Sequence, residues 1–284
     1  MFAQRRMRSC LLVIAAILLA GCNGAPNGGA TFASASNPSA SSTASTQANP
    51  LQEHVATARY RIDITYPALN ADEAPLAAML RRIAGAAKSD FLQSLPDPKT
   101  FPEFADRQLQ LRIDFKLAAR TSAFTSVRET GLQDTGGAHP APIDAAIVYG
   151  AEERRTLPLD DLFAKPDVAR KAIADFARAA IATKIMALAP KPGEGSPEAI
   201  KEWNANARQM IDAGTQPTAQ NFANYIVRAG ATPAAPSPGL TLLFPPYQVA
   251  AYVYGAQTVA VPASVFVAYL KVQYRSAFGI SGVN

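Results

Sequence analysis

Residues 107–117 form the segment RQLQLRIDFKL, in which apolar and polar side chains alternate without interruption. In an extended chain Leu109, Leu111, Ile113, Phe115 and Leu117 all point to one side, and the polar residues between them point to the other. A strand with one apolar and one polar face is typical of an antiparallel sheet that has one side in water. The segment therefore predicts such a sheet.

Further elements are predicted on both sides of this strand. Strands are predicted at residues 55–66, 121–130, 143–149, 240–244 and 258–261, with a loop at 131–142. Apolar residues at helical spacing predict helices at 72–94, 166–188, 197–211 and 262–269, and a short helical turn at 160–163. Together these patterns predict an α+β fold in which antiparallel sheets pack against helices.

The first 50 residues differ from the rest of the chain. Arg5, Arg6 and Arg8 precede an apolar run that is too short for a membrane span, and residues 19–22 are LAGC. This pattern predicts a signal peptide at residues 1–21 and lipid attachment at Cys22. Residues 22–50 are then a disordered tether, because they are rich in Gly, Ala, Ser and Pro.

The residue after Cys22 indicates the membrane in which we expect the lipid anchor to lie. Because Asn23 follows the cysteine where an aspartate would resemble an inner-membrane retention signal, we expect an outer-membrane lipoprotein facing the periplasm of a Gram-negative bacterium. Two or more acyl chains would hold the protein firmly on the bilayer. The membrane is therefore one expected partner, reached through the N-terminal lipid.

Charge and cysteine content exclude several classes of protein. The formal charge is +5, but cleavage after residue 21 leaves 24 basic against 22 acidic residues, so no nucleic acid is expected as a partner. Cys10 and Cys22 are the two cysteines, and neither falls in the predicted folded part. Disulfides, a thiol nucleophile and zinc-thiolate sites are therefore not expected there. We expect no metal and no cofactor.

Two motifs carry a family resemblance. The first is TGGAHP at residues 135–140, which leads to LPLDDLF at 157–163, and the second is LFPPYQVAAYVYG at 243–255, which leads to VAVP at 259–262. Together they resemble the C-terminal domain of the anti-sigma factor RsiV and its relatives. The preceding region resembles the companion domain found before a peptidoglycan deacetylase catalytic domain. The resemblance covers about residues 55–270.

The resemblance implies a two-part α+β module in the cell envelope. It divides the folded chain into an N-terminal α+β subdomain at 51–134 and an RsiV-like C-terminal domain at 135–284. One relative binds lysozyme, but the module itself implies no catalysis. This chain has Ala141 where family members commonly carry asparagine, and it has no sigma-binding segment or transmembrane helix. An anti-sigma factor of that design is therefore not expected.

Four residues are candidates for binding a ligand or a partner. His139 can act as a general base, bond a ligand or anchor its own loop. Tyr247, Tyr252 and Tyr254 can stack on sugars, join a protein interface or pack in the core, and the last two are predicted to share one face of a strand. Asp160 and Asp161 are adjacent, which suits a helix N-terminus better than an acid–base pair.

Three functions remain open from the sequence. The leading hypothesis is a non-enzymatic envelope lipoprotein that binds or inhibits a lysozyme-like muramidase. The second is an accessory lipoprotein that binds peptidoglycan or another glycan through its tyrosines. The third is a hydrolase with a site near His139, although no nucleophile or metal cluster accompanies that histidine in the sequence. We predict that the chain is not an enzyme.

Overall fold

A computed structural model describes residues 51–104, 106–232 and 234–280 of the protein. The predicted signal peptide, the Cys22 lipidation site and the predicted tether lie outside the described residues. Two sheets and three long helices make up most of the described chain, so the predicted α+β fold is confirmed. No helix among the described residues is long and apolar enough to cross a membrane.

The first sheet has six strands in chain order. They are β1 (Gln52–Ala56), β2 (Tyr60–Thr65), β3 (Leu109–Arg120), β4 (Phe124–Asp134), β5 (Ala141–Gly150) and β6 (Arg155–Thr156). Helix α1 (Ala74–Gln93) connects β2 to β3, and these two strands are parallel. The other pairs are antiparallel. The sheet is therefore mixed, because a helix crossover returns the chain in the same direction.

Two predicted boundaries in this sheet are wrong. The strand predicted at 55–66 is interrupted, because the Thr57 hydroxyl accepts hydrogen bonds from the N–H groups of Arg59 and Tyr60 and closes a turn between β1 and β2. The loop predicted at 131–142 is shorter, since pairing between β4 and β5 continues to Gln133 and Ala141. The predicted domain boundary at 134/135 falls in this turn, between two strands of one sheet.

Helix α1 covers one face of the sheet. Leu76, Leu80, Ala84 and Phe91 recur at helical spacing and are buried against the alternating apolar residues of β2 and β3, which are Ile62, Ile64, Leu111, Ile113 and Phe115. Each fully buried Leu, Ile or Phe stabilises the fold by about 1.5–3 kcal/mol relative to an exposed one. The alternation in residues 107–117 therefore predicted this face correctly as far as Phe115, but it was wrong for Leu117, which is exposed where the β3–β4 register shifts.

A second sheet lies on the other face of β4 and β5. It consists of β7 (Tyr225–Val227), β8 (Gly239–Phe244) and β9 (Gln257–Pro262), all antiparallel, and it packs with α2 (Pro166–Met186) and α3 (Pro197–Gly214). The Ser126 hydroxyl of β4 accepts a hydrogen bond from the Val227 N–H at 3.1 Å. Strand β4 contributes Val127 to one core and Phe124 to the other.

The helix predicted at 262–269 is wrong. Two short 3-10 turns occupy Ala263–Val265 and Val267–Tyr269, followed by α4 (Val272–Arg275). Leu270 forms a β-bridge with Phe163, and hydrogen bonds between the two segments flank it, from Ala164 to Tyr269 and from Lys271 to Leu162. Because a bridge requires extended backbone, the helical turns end before Leu270.

Candidate functional site

The turn between β4 and β5 holds His139 in place. Gly136 has a φ of +92°, and its N–H donates to a carboxylate oxygen of Asp134 at 2.9 Å. A Cβ at residue 136 would lie 2.4 Å from the ring of Phe104. Glycine is therefore favoured at residue 136 by its positive φ and by the close approach of the Phe104 ring. The turn places the His139 ring at the end of the hairpin.

The segment between β8 and β9 holds the tyrosines. The Gln248 side chain donates to the carbonyl oxygens of Gly214 and Asn221, at 3.1 and 2.9 Å, and fixes the segment against the end of α3. Tyr247 has a φ of +71°. This conformation costs a non-glycine residue roughly 1–3 kcal/mol and is often found at functional sites. The segment thus holds an aromatic side chain at a strained backbone position.

His139, Tyr252 and Tyr247 form a stack of three rings, which we call the aromatic stack. The ring centroids of His139 and Tyr252 are 4.8 Å apart with an interplanar angle of 20°. Those of Tyr252 and Tyr247 are 5.3 Å apart at 29°. Tyr247 is 55% exposed and Tyr252 is 39% exposed. The fold thus brings together three of the four predicted site residues, from two motifs more than 100 residues apart.

Tyr254 does not join the stack. Tyr252–Tyr254 is a 3-10 turn, so the prediction that Tyr252 and Tyr254 share a strand face is wrong. The Tyr254 hydroxyl accepts a hydrogen bond from the Trp203 indole N–H of α3 at 3.1 Å, and the two rings meet edge to face. Val253 between the two tyrosines is 80% exposed. Sequence reasoning missed Val253, because exposure of a single valine leaves no pattern in the sequence.

The acidic candidates near the first motif are held in ion pairs. Asp160 accepts a hydrogen bond from Arg170, and Asp161 accepts one from Arg155 at 2.7 Å. Both aspartates belong to a short 3-10 turn, as predicted. Among the described residues, no group of three or more His, Cys, Asp or Glu side chains is placed to hold a metal ion. These contacts give the two aspartates a structural role.

Two buried glutamates have opposite surroundings. Burial would raise the pKa of Glu73, but the Thr125 hydroxyl, the Asn70 N–H and the Arg120 guanidinium bond its carboxylate and lower the pKa below its ordinary value. Burial raises the pKa of Glu129 to about 7. Glu129 is 8% exposed and lies opposite Phe115 and Ala145 in the first sheet. The sequence did not indicate this burial, because Glu129 lies in a strand with two covered faces.

Comparison with known proteins supports the fold but gives no activity. No curated protein matches this chain. A solved DUF3298 family protein from Pseudomonas aeruginosa PAO1 is similar with a TM-score of 0.52 and 16% identity, over 79% of this chain and 94% of that one. A DUF3298 family member from Bacteroides fragilis NCTC 9343 gives 0.51 and 15%, over 80% and 94%. Residues 160–264, which include the three tyrosines, match the family described as a protein of unknown function, DUF3298.

Proposed function

We propose that this chain is a non-enzymatic envelope lipoprotein that binds a protein partner, a lysozyme-like muramidase, through the aromatic stack. The observation that carries the proposal is the exposure of His139, Tyr252 and Tyr247 in one continuous stack at the surface. Tyrosines are enriched at the centres of protein interfaces, because they bury a large area at a low cost in conformational entropy. The resemblance to the RsiV C-terminal domain suggests the muramidase.

The exposed apolar surface beside the stack favours a protein partner over a glycan. Tyr252 stacks with both His139 and Tyr247, so within the stack a sugar could reach only the outer faces of these two rings. The ring edges and the exposed Val253 side chain remain available to a partner. Such a surface, apolar with hydroxyl groups at its edge, suits the core of a protein interface.

The N-terminal sequence supports a place in the envelope. A basic segment, an apolar run and Cys22 together are typical of a lipoprotein signal. A lipid anchor followed by the predicted tether would let the folded part reach a muramidase close to the cell wall. In this proposal the protein protects the wall by binding the enzyme.

Binding and inhibition of muramidases test the proposal. The purified full-length lipoprotein in detergent would be titrated against a panel of lysozyme-type muramidases, with affinity and hydrolysis of isolated sacculi as the two readouts. We expect one or more enzymes to bind and to lose activity, and we expect Tyr252→Ala to weaken binding at least tenfold. Absence of binding to every enzyme would contradict the proposal. Co-sedimentation with sacculi alone would instead support the glycan-binding alternative.

A further inference from the structure

An apolar pocket lies beside the aromatic stack, between α3, the end of α2 and the segment that carries Tyr252. Its volume is about 190 Å³. The side chains that line it are almost all apolar or aromatic, and they include Ile185, Trp203, Ala207, Met210, Ala251 and Tyr254. By comparison, an engineered apolar cavity of about 150 Å³ is large enough to bind benzene. The pocket is therefore large enough for one large apolar side chain.

The accessible surface inside the pocket is apolar. The Trp203 indole N–H donates to the Tyr254 hydroxyl, and Asn206, which also lines the pocket, exposes no polar surface into it. A hydrogen-bonding ligand would have to break such contacts to gain new ones, whereas an apolar group would lose none. The chemistry of the pocket thus selects an apolar group.

One short segment connects the pocket to the aromatic stack. Ala251 and Tyr254 line the pocket, whereas Tyr252 belongs to the stack. Val253, between these residues, is largely exposed. The segment from Ala251 to Tyr254 therefore borders both the pocket and the stack.

We propose that this pocket receives one large apolar side chain of the protein partner that binds the aromatic stack. The choice of partner rests on the proposed function, but the pocket can be tested apart from it. A buried anchor side chain surrounded by less critical contacts is the usual arrangement of energetically dominant residues at interfaces. The stack and the pocket would then form two parts of one interface.

Fluorescence of Trp203 tests the pocket without any protein partner, because this residue is the single tryptophan of the chain. N-acetyl-phenylalanine amide and N-acetyl-leucine amide would be titrated into the full-length protein, with N-acetyl-asparagine amide as the polar control. We expect a saturable emission change with the two apolar probes only. No saturable change, or the same change with the asparagine probe, would overturn the proposal.

A matched pair of variants locates the site and its role. Ala251→Leu would fill the pocket from its lining, whereas Ala205→Leu adds the same side chain to an exposed position of α3. We expect Ala251→Leu to weaken apolar-probe binding and muramidase binding at least tenfold each, and Ala205→Leu to change neither. Thermal unfolding would establish that both variants fold.

The outcomes separate the two proposals. If a muramidase binds and Ala251→Leu leaves its affinity unchanged, the anchor role is overturned and the aromatic stack retains its proposed function. If the apolar probes saturate the pocket but no muramidase binds, the proposed partner is wrong and the apolar site stands. Equal effects of Ala251→Leu and Ala205→Leu on the probes would overturn the assignment of the site.

Discussion

Two aromatic clusters of this chain differ in their surroundings. Phe124, Phe163, Phe266 and Phe278 lie in the second core, with ring centroids 5.3–6.1 Å apart and tilted or edge-to-face geometry. The aromatic stack has nearly parallel rings and lies largely in water. The buried cluster joins β4, the turn after β6 and the C-terminal turns, whereas the stack joins two loops.

Folding stability explains the buried phenylalanine cluster but not the exposed aromatic stack. Burial of each phenylalanine removes a large apolar area from water, and this accounts for the composition of the buried cluster. A pair of exposed stacked rings adds only about 0.5–1.5 kcal/mol, and the strained backbone at Tyr247 costs a similar amount. Folding stability alone therefore does not explain the stack, and this is the physical reason to assign it a binding role.

Removal of a buried ring should produce the largest loss of stability. Phe266 contacts Phe163 and Phe278 edge to face and is fully buried. We expect Phe266→Ala to lower the free energy of unfolding by about 3–5 kcal/mol, because the change leaves a cavity. Urea unfolding followed by circular dichroism measures this loss. A change below about 1 kcal/mol would show that this cluster does not stabilise the fold.

Glu129 tests the converse case, a buried group that opposes folding. Its pKa is raised from an ordinary value of 4.5 to about 7, so the folded state holds its proton more tightly. Relative to alkaline pH, the raised pKa adds stability that is full below about pH 4.5 and is lost as the pH rises through about 7. Glu129 therefore opposes folding only when its carboxylate is ionised. At 1.36 kcal/mol per pH unit, we expect Glu129→Gln to stabilise the protein by up to about 3 kcal/mol at pH 8, and by little at pH 4.

Glu73 provides the control of opposite sign for that measurement. Its pKa is lowered by the Thr125, Asn70 and Arg120 donors, which outweigh burial, so its contribution is present above its ordinary pKa and is lost as the pH falls. Urea unfolding at pH 4, 6 and 8 should therefore show that Glu73→Gln is destabilising at pH 8. The same pH profile for wild type and Glu129→Gln would contradict the account of Glu129.

Substitutions in the aromatic stack should have small effects on stability. We expect Tyr247→Gly to change the free energy of unfolding by less than about 1 kcal/mol, because the stacking is lost while the backbone strain is relieved, since glycine has no Cβ to oppose a positive φ. Differential scanning calorimetry beside Phe266→Ala measures both clusters on one scale. A loss comparable to that of Phe266→Ala would make the stack part of the core.

The sequence predicted the elements better than the contacts between them. Alternation in residues 107–117 identified β3 and its buried face, because period-two patterns arise from one covered side. It did not reveal that β4 is covered on both sides, which is why the burial of Glu129 was missed. His139, Tyr247 and Tyr252 were predicted separately, but their stacking depends on how two distant loops meet. The pocket beside Trp203 depends on three elements and left no local signal.

Two exposed valines test the central claim with matched substitutions. Val253 beside the aromatic stack is 80% exposed, and Val272 in α4 is 73% exposed. A charge at either position should leave the fold unchanged, since neither side chain is buried. The measurement is the affinity of the full-length protein, with Val253→Asp or Val272→Asp, for any muramidase found to bind the unmodified chain. We predict at least a tenfold loss for Val253→Asp and none for Val272→Asp, whereas equal affinities would contradict the assignment of the stack as the binding surface.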